Sequence, residues 1–257
     1  MKNHIPVLVV GKLSWQSIGI FNPNAFPPEL RSTAMNCGDQ LALIENSLSN
    51  TTTLIENQKN EFLIILQKDP NFKGFTPDPQ KPVKAFYHNL SFLTHFISFF
   101  VYFKAFLDQY ARLVSKLIDS RSSIFGFNKQ KIDGRNIPGG RLINWLRNST
   151  PSDCENCFKL AALFNQHVVE WIDETIKLRD SLVHSPYFLA EYSISIPLTK
   201  STSMLSPDNL NPPMIPGTNV EISLYMEQAL KSLYTLVYDT LPLLPNVDFS
   251  MLPKLEH

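Results

Sequence analysis

Three side chains with complementary chemistry crowd into six residues of this chain, "RDSLVH", from Arg179 to His184. His184 is of the type that takes up and releases protons near neutral pH, so it suits acid–base transfer. Arg179 carries a permanent charge on a planar fork matched to the oxygens of an anionic group. Asp180 precedes His184 by four residues, one helical turn, where a carboxylate could orient the imidazole and favour its protonated form. Together these are the parts of proton-transfer chemistry on an anionic substrate. The same residues also suit an ordinary helix C-terminus, where cations complement the helix dipole by roughly a few tenths of a kcal/mol.

The helix that carries them is legible. Leu160, Phe164, Val168, Trp171, Thr175, Leu178 and Leu182 recur three and four residues apart and mark a buried stripe. Ser152 followed by Glu155 has the form of a capping box at its start. Pro186 disfavours helical backbone at Ser185 and should end the helix near His184. At 100° per residue, Arg179 and His184 then lie about 140° apart around the axis. Arg179 borders the buried stripe and His184 points away from it.

Other groups were weighed for chemistry. Between Arg121 and Arg147 six cations (Arg121, Lys129, Lys131, Arg135, Arg141 and Arg147) face Asp133 alone, a local excess of +5 around the glycine-rich, flexible stretch "DGRNIPGGR". That stretch lacks the Lys-Ser/Thr of a phosphate-binding loop and follows no convincing strand. Cys154 and Cys157 have the spacing of half a zinc site or a redox pair. No second pair accompanies them, and two buried thiols on a helix are the expectation. His88, His95 and His167 have no matching carboxylate or cysteine cluster in the sequence and read as packed or capping histidines. No metal site is expected.

The order Arg, Asp, three residues of any kind, then His, near the C-terminal end of a helix, resembles the motif of the HEPN superfamily. That group holds toxin RNases, abortive-infection proteins and CRISPR-associated RNases, with some members that lack catalysis. The resemblance rests on "RDSLVH" and its helix, and on the surrounding helices only as a general architecture. It implies a metal-independent endoribonuclease without a cofactor. Arg179 would hold the phosphate, His184 would exchange protons with the ribose 2′-OH and the leaving oxygen, and Asp180 would orient His184. The products would be 2′,3′-cyclic phosphate and 5′-hydroxyl ends. The resemblance also implies a homodimer, in which motifs from two subunits converge where one subunit alone presents a split site. Single-stranded RNA would then track along the basic stretch, and an antitoxin or regulatory protein would be a further partner of a toxin or phage-defence effector. The alternative, of a different class, is a non-catalytic helical binding or scaffold module, docking through an exposed seam such as Phe92 to Leu117.

Composition and periodicity supply the frame that must position these residues. The chain has 257 residues, 44% hydrophobic and 18% charged, with 9 glycines against 18 phenylalanines and a formal net charge of zero. That mix favours helices packed through aromatic side chains and excludes a polycation that coats nucleic acid. Leu41, Ile44, Leu48, Ile55, Phe62 and Ile65 predict one long helix from about Pro28 to Gln67, with a possible break at "SNTTT". "KDPNFKGFTPDPQKP" is a linker. Phe92, Phe96, Phe99, Phe103, Phe106, Tyr110, Leu113 and Leu117 form a heptad-like seam for a second long helix. "AEYSISIP" alternates as a strand with one wet face, with the apolar run Pro6 to Val10 as its candidate partner. A long loop spans 199–219, and a last helix from about Glu221 to Leu243 packs Leu224, Ala229, Leu233, Leu236 and Val237.

The expected fold is therefore mainly α, a bundle of four to five helices with long antiparallel members and a small accessory β element. It forms a single domain over 1–254, with an N-terminal extension at 1–27 and a probable tag remnant at 255–257. Three cysteines, the lack of a secretory core at the N-terminus and the absence of a membrane-spanning run point to the cytoplasm.

Overall fold

The computed structural model describes residues 19–68, 90–132, 134–148, 154–184, 193–194, 210–215 and 218–253. The Pro6 to Val10 run, the linker at 69–82, His88, Asp133, Ser152, Pro186 and most of the 199–219 loop lie outside them. So do the side chains of Phe62 and Ile65.

Helices dominate, as the periodicity requires. Helix α1 (Arg31–Lys68) follows a short 3-10 turn at Pro28–Leu30 and runs through "SNTTT" without a break. Thr51 tolerates the helix interior because its hydroxyl donates to the Ser47 carbonyl one turn back at 2.8 Å. Helix α2 (Leu90–Ile118) lies along α1. All eight residues of its predicted seam are buried, none more than 4% exposed. The scaffold reading's exposed seam is thereby corrected, because that seam is the centre of the core. By length and composition α2 is the one helix among the described residues apolar enough to cross a membrane, a property the Phe92 to Leu107 run did not reveal. Here its apolar face is used in packing.

The basic stretch differs from expectation. It is an ordered antiparallel hairpin of β1 (Gln130–Ile132) and β2 (Arg135–Ile137), followed by helix α3 (Gly140–Asn148). Gly134 and Gly139 adopt φ of +82° and +68°, conformations that glycine reaches without a Cβ penalty. An Asp-Gly pair between two short strands is a hairpin signal that the glycine content obscured.

Helix α4 (Cys157–His167) passes through one π turn (Val168–Ile172) into α5 (Asp173–His184). Its N-cap is Asn156, so the capping box from Ser152 is not what starts it. In the π turn the Asp173 N–H reaches back five residues to the Val168 carbonyl, one more than in an α-helix. The extra residue moves the buried stripe: Trp171 and Leu178 are half-buried, while Ile172 and Ile176 point fully inward. At this joint the Trp171 indole donates to His167 Nδ1 at 2.9 Å. Since indole N–H only donates, Nδ1 must accept, and Nε2 carries the proton that faces Asp239 Oδ2 at 3.3 Å. His167 is thus a packed histidine, but one with a carboxylate partner that the sequence did not disclose.

Helix α6 (Ile222–Thr240) packs on α1 and α4. It turns Leu224 outward, 46% exposed, and buries Ile222, Met226 and Leu230 beside the predicted Ala229, Leu233, Leu236 and Val237. A small sheet pairs β3 (Ser193–Ile194) with β4 (Leu210–Asn211), so a partner of the predicted strand comes from the long loop. Ile20, Phe21, Ala25 and Phe26 are buried, so the far end of the predicted 1–27 extension is core. One hydrophobic cluster joins all helices. Its polar members are paired: Tyr110 with Thr240 at 2.6 Å, and Tyr234 with Glu45.

Candidate functional site

Helix α5 sets the geometry of the "RDSLVH" motif. Its inward residues Thr175, Ile176 and Leu182 are buried, and the helix packs against α2. That fixes Arg179 and Asp180 at the edge of the buried face. His184 is the last described residue of the helix and is exposed, on the side away from the core, as the 140° separation requires.

Asp180 lines a depression of about 280 Å³ together with Lys104, Phe127, Asn128, Lys129, Pro138 and Ile176. Four elements converge here: α2 supplies Lys104, the strand approach supplies Phe127 to Lys129, the turn after β2 supplies Pro138, and α5 forms the remaining wall. The aromatic core fixes the floor. Phe103 meets Trp171 edge-on at 5.5 Å, Tyr110 contacts Phe164 at 6.3 Å, and Phe164 contacts Phe127 at 6.2 Å. Gly139 passes so close to Phe127 that any Cβ would strike its ring.

The polar groups form one pair and one set of three. Lys104 Nζ lies 2.6 Å from Asp108 Oδ1, which also accepts the Phe127 backbone N–H at 2.7 Å. Arg179 Nη1 donates to Asp180 Oδ1 at 2.9 Å, and Lys129 Nζ approaches Asp180 Oδ2 at 3.4 Å. Partial burial acts to raise the Asp180 carboxyl, but hydrogen bonds from Arg179 and Lys129, with their charges, outweigh it and hold it below the usual range. Arg179 Nε is buried and has no hydrogen-bond partner among the described residues. The guanidinium is therefore tethered by one nitrogen, with donor capacity left over.

Both Asp180 oxygens serve cations, and no hydrogen bond or ion pair joins Asp180 to His184 among the described residues. The described bonds of Asp180 run to Arg179, its chain neighbour, and to Lys129.

Of the six cations of the basic stretch, only Lys129 reaches this depression. Lys131 pairs across the hairpin with Asn136, and Arg135 with Ile132. Adjacent cross-strand pairs point to opposite faces, so Lys131 and Arg135 cannot share one track. Arg141 and Arg147 are exposed on α3, and Arg121 lies beside Asp119 in a separate depression with Lys116 and Asn246. Lys104 and Asp108 escaped sequence reasoning. Their four-residue spacing on the polar side of α2 was the available signal.

The other candidate pair is also placed. Cys154 and Cys157 are joined by a disulfide, with Cα atoms 5.5 Å apart. This replaces the expected two free thiols. Cys154 precedes the helix and is half-buried, while Cys157 opens α4 and is buried. Among the described residues no three His, Cys, Asp or Glu side chains come together in a way that could hold a metal ion. Compared with protein-family models, curated proteins and solved structures, the chain finds no match.

Proposed function

We propose that this chain is an endoribonuclease of HEPN type that cleaves single-stranded RNA as a homodimer. The observation that carries the reading is the state of Arg179. Its guanidinium is half-buried and fixed by Asp180, whose other oxygen meets Lys129 in the wall of a depression that Lys104 also lines. A phosphate oxygen is the partner such a fork fits. His184, exposed at the end of the same helix, is free to meet substrate from outside the chain.

In this mechanism Arg179 holds a non-bridging oxygen of the scissile phosphate and stabilises the charge that grows there. One His184 takes the proton from the ribose 2′-OH, whose oxygen attacks phosphorus. A second histidine gives a proton to the departing 5′ oxygen, leaving a 2′,3′-cyclic phosphate. The two roles need two imidazoles, and the divergence of Arg179 from His184 on one helix is resolved when two α5 ends face each other across a two-fold axis. A toxin or phage-defence setting would add a partner protein that covers this cleft.

The test uses end-labelled single-stranded RNA with a chelator present, wild type beside His184→Ala. Cleavage by the wild type alone, leaving cyclic phosphate ends, supports the reading. Failure of the folded, dimeric wild type to cleave a panel of RNA sequences overturns it. Equal cleavage by both proteins overturns the assignment of His184.

A further inference from the structure

We infer that Cys154 and Cys157 form a reversible thiol–disulfide exchange site, entered at Cys154 and open to low-molecular-weight thiols. The site is separate from the Arg179 depression and does not depend on RNA cleavage.

The argument rests on asymmetry. Two residues separate the cysteines, so the ring that closes is small, and forming or opening it requires no long-range rearrangement. Cys154 sits before the helix and is half-buried. Cys157 is the first residue of α4, with 1% of its surface exposed. Among the described residues, the exposed surface of the pair therefore lies on Cys154, the side from which an external thiol would approach. The loop between them is held in place without the sulfurs: Asn156 Nδ2 donates to the Leu243 carbonyl at 3.2 Å, and the Cys157 backbone N–H to the Cys154 carbonyl at 3.3 Å. Those contacts keep the sulfurs close when the bond is open, so closure recurs.

Exchange proceeds in balanced steps. A thiolate attacks Cys154 Sγ, the Sγ–Sγ bond breaks, and its electron pair passes to Cys157 Sγ. That sulfur stands in the first turn of a helix, where backbone N–H groups and the dipole favour negative charge, and it then takes up a proton. A second thiolate attacks the external sulfur of the mixed disulfide and releases Cys154 as a thiol. Two electrons pass from two small thiols to the protein, and the small thiols leave as their disulfide. Reoxidation runs the same steps backwards, with Cys157 as the resolving thiol.

The probe is glutathione, reduced and oxidised, mixed in graded ratio with the full-length protein. Thiols are trapped by rapid alkylation and mapped by mass. The expected result is an intramolecular Cys154–Cys157 bond that opens and closes reversibly with the ratio, while buried Cys37 stays unmodified in the native protein. On the reduced native protein, Cys154 should alkylate at least about tenfold faster than Cys157, following thiol access. Cys157→Ser should hold a glutathione mixed disulfide on Cys154, and Cys154→Ser should hold less than about a tenth as much. A pair that stays closed in reduced glutathione alone, or open in oxidised glutathione alone, overturns the proposal. So does equal labelling of the two cysteines. Wild-type mapping decides these points even where a serine variant folds poorly.

Discussion

Arg179 and Asp180, neighbours in the chain, are joined side chain to side chain: Nη1 donates to Oδ1 at 2.9 Å. Lys129 covers the other Asp180 oxygen from a segment fifty-one residues earlier. The carboxylate thus ties the strand approach to α5 and bonds a guanidinium next to a depression that Lys104 and Lys129 line. In the proposed ribonuclease, that link would make Asp180 a positioning residue for Arg179.

Asp180→Asn should consequently weaken RNA cleavage by about ten- to a hundredfold, the range in which loss of an orienting partner is felt. His184 is untouched, so the pH profile of the remaining activity should keep its shape while its height falls. Asp180→Glu should recover part of the loss. An unchanged rate in Asp180→Asn, measured on the same RNA, would remove the link between this carboxylate and Arg179 function.

The same pair has a stability signature, and its sign follows from the direction of the shift. The Asp180 carboxyl is held below its ordinary value of 3.8. A depressed carboxyl contributes stability in full above its unfolded-state pKa and loses it as pH falls through the lower, folded-state value. Its side chain is 38% exposed, so screening limits the contribution to less than about 1 kcal/mol. Urea midpoints of wild type and Asp180→Asn should differ by a constant amount from pH 7 to about pH 5, and converge below pH 4. A gap that widens on acidification would contradict the assignment.

What the sequence disclosed depended on whether a signal was local. The α2 seam was legible because eight apolar residues repeat at helical spacing over 26 positions, and all eight are buried. The π turn was not, because one inserted residue changes which neighbours are buried without breaking the run of apolar residues. Pairing between distant segments was invisible too. Nothing near Asp180 announces Lys129, and nothing near His167 announces Asp239, seventy-two residues away. The hairpin had a local signal in Asp-Gly, but six cations and nearby glycines drew the reading towards a flexible loop.

Two glycines of that hairpin region separate backbone strain from steric collision. Both have positive φ, so alanine is strained at either, by about 1 kcal/mol. At Gly134 nothing lies near an added Cβ, whereas at Gly139 the methyl meets the Phe127 ring. Phe127 is anchored against Phe164 in the core and cannot move freely. Gly139→Ala should therefore cost at least about 2 kcal/mol, adding overpacking to the backbone term, and Gly134→Ala about 1. Denaturant titration of both variants checks the order, and equal costs would mean that Phe127 yields.

The divided arrangement of the basic stretch makes the last prediction, about RNA affinity. If Lys129 and Arg179 meet the backbone at one depression, each lost phosphate contact should weaken binding and lower the salt slope by about 0.7, the value for single strands. Lys129→Gln should show both effects. Lys131 and Arg135 point to opposite faces of the hairpin, so no more than one of Lys131→Gln and Arg135→Gln should do the same. Arg121 lies in a separate depression beside Asp119, and Arg121→Gln should leave affinity and slope unchanged. Titrating a non-cleavable 2′-O-methyl strand at several salt concentrations reads all four variants without interference from catalysis. Equal effects from all four would describe a diffuse positive surface and would detach the Arg179 depression from RNA binding. A loss confined to Lys129 and one hairpin cation would define a single path, in which one face of the hairpin leads the strand to the end of α5.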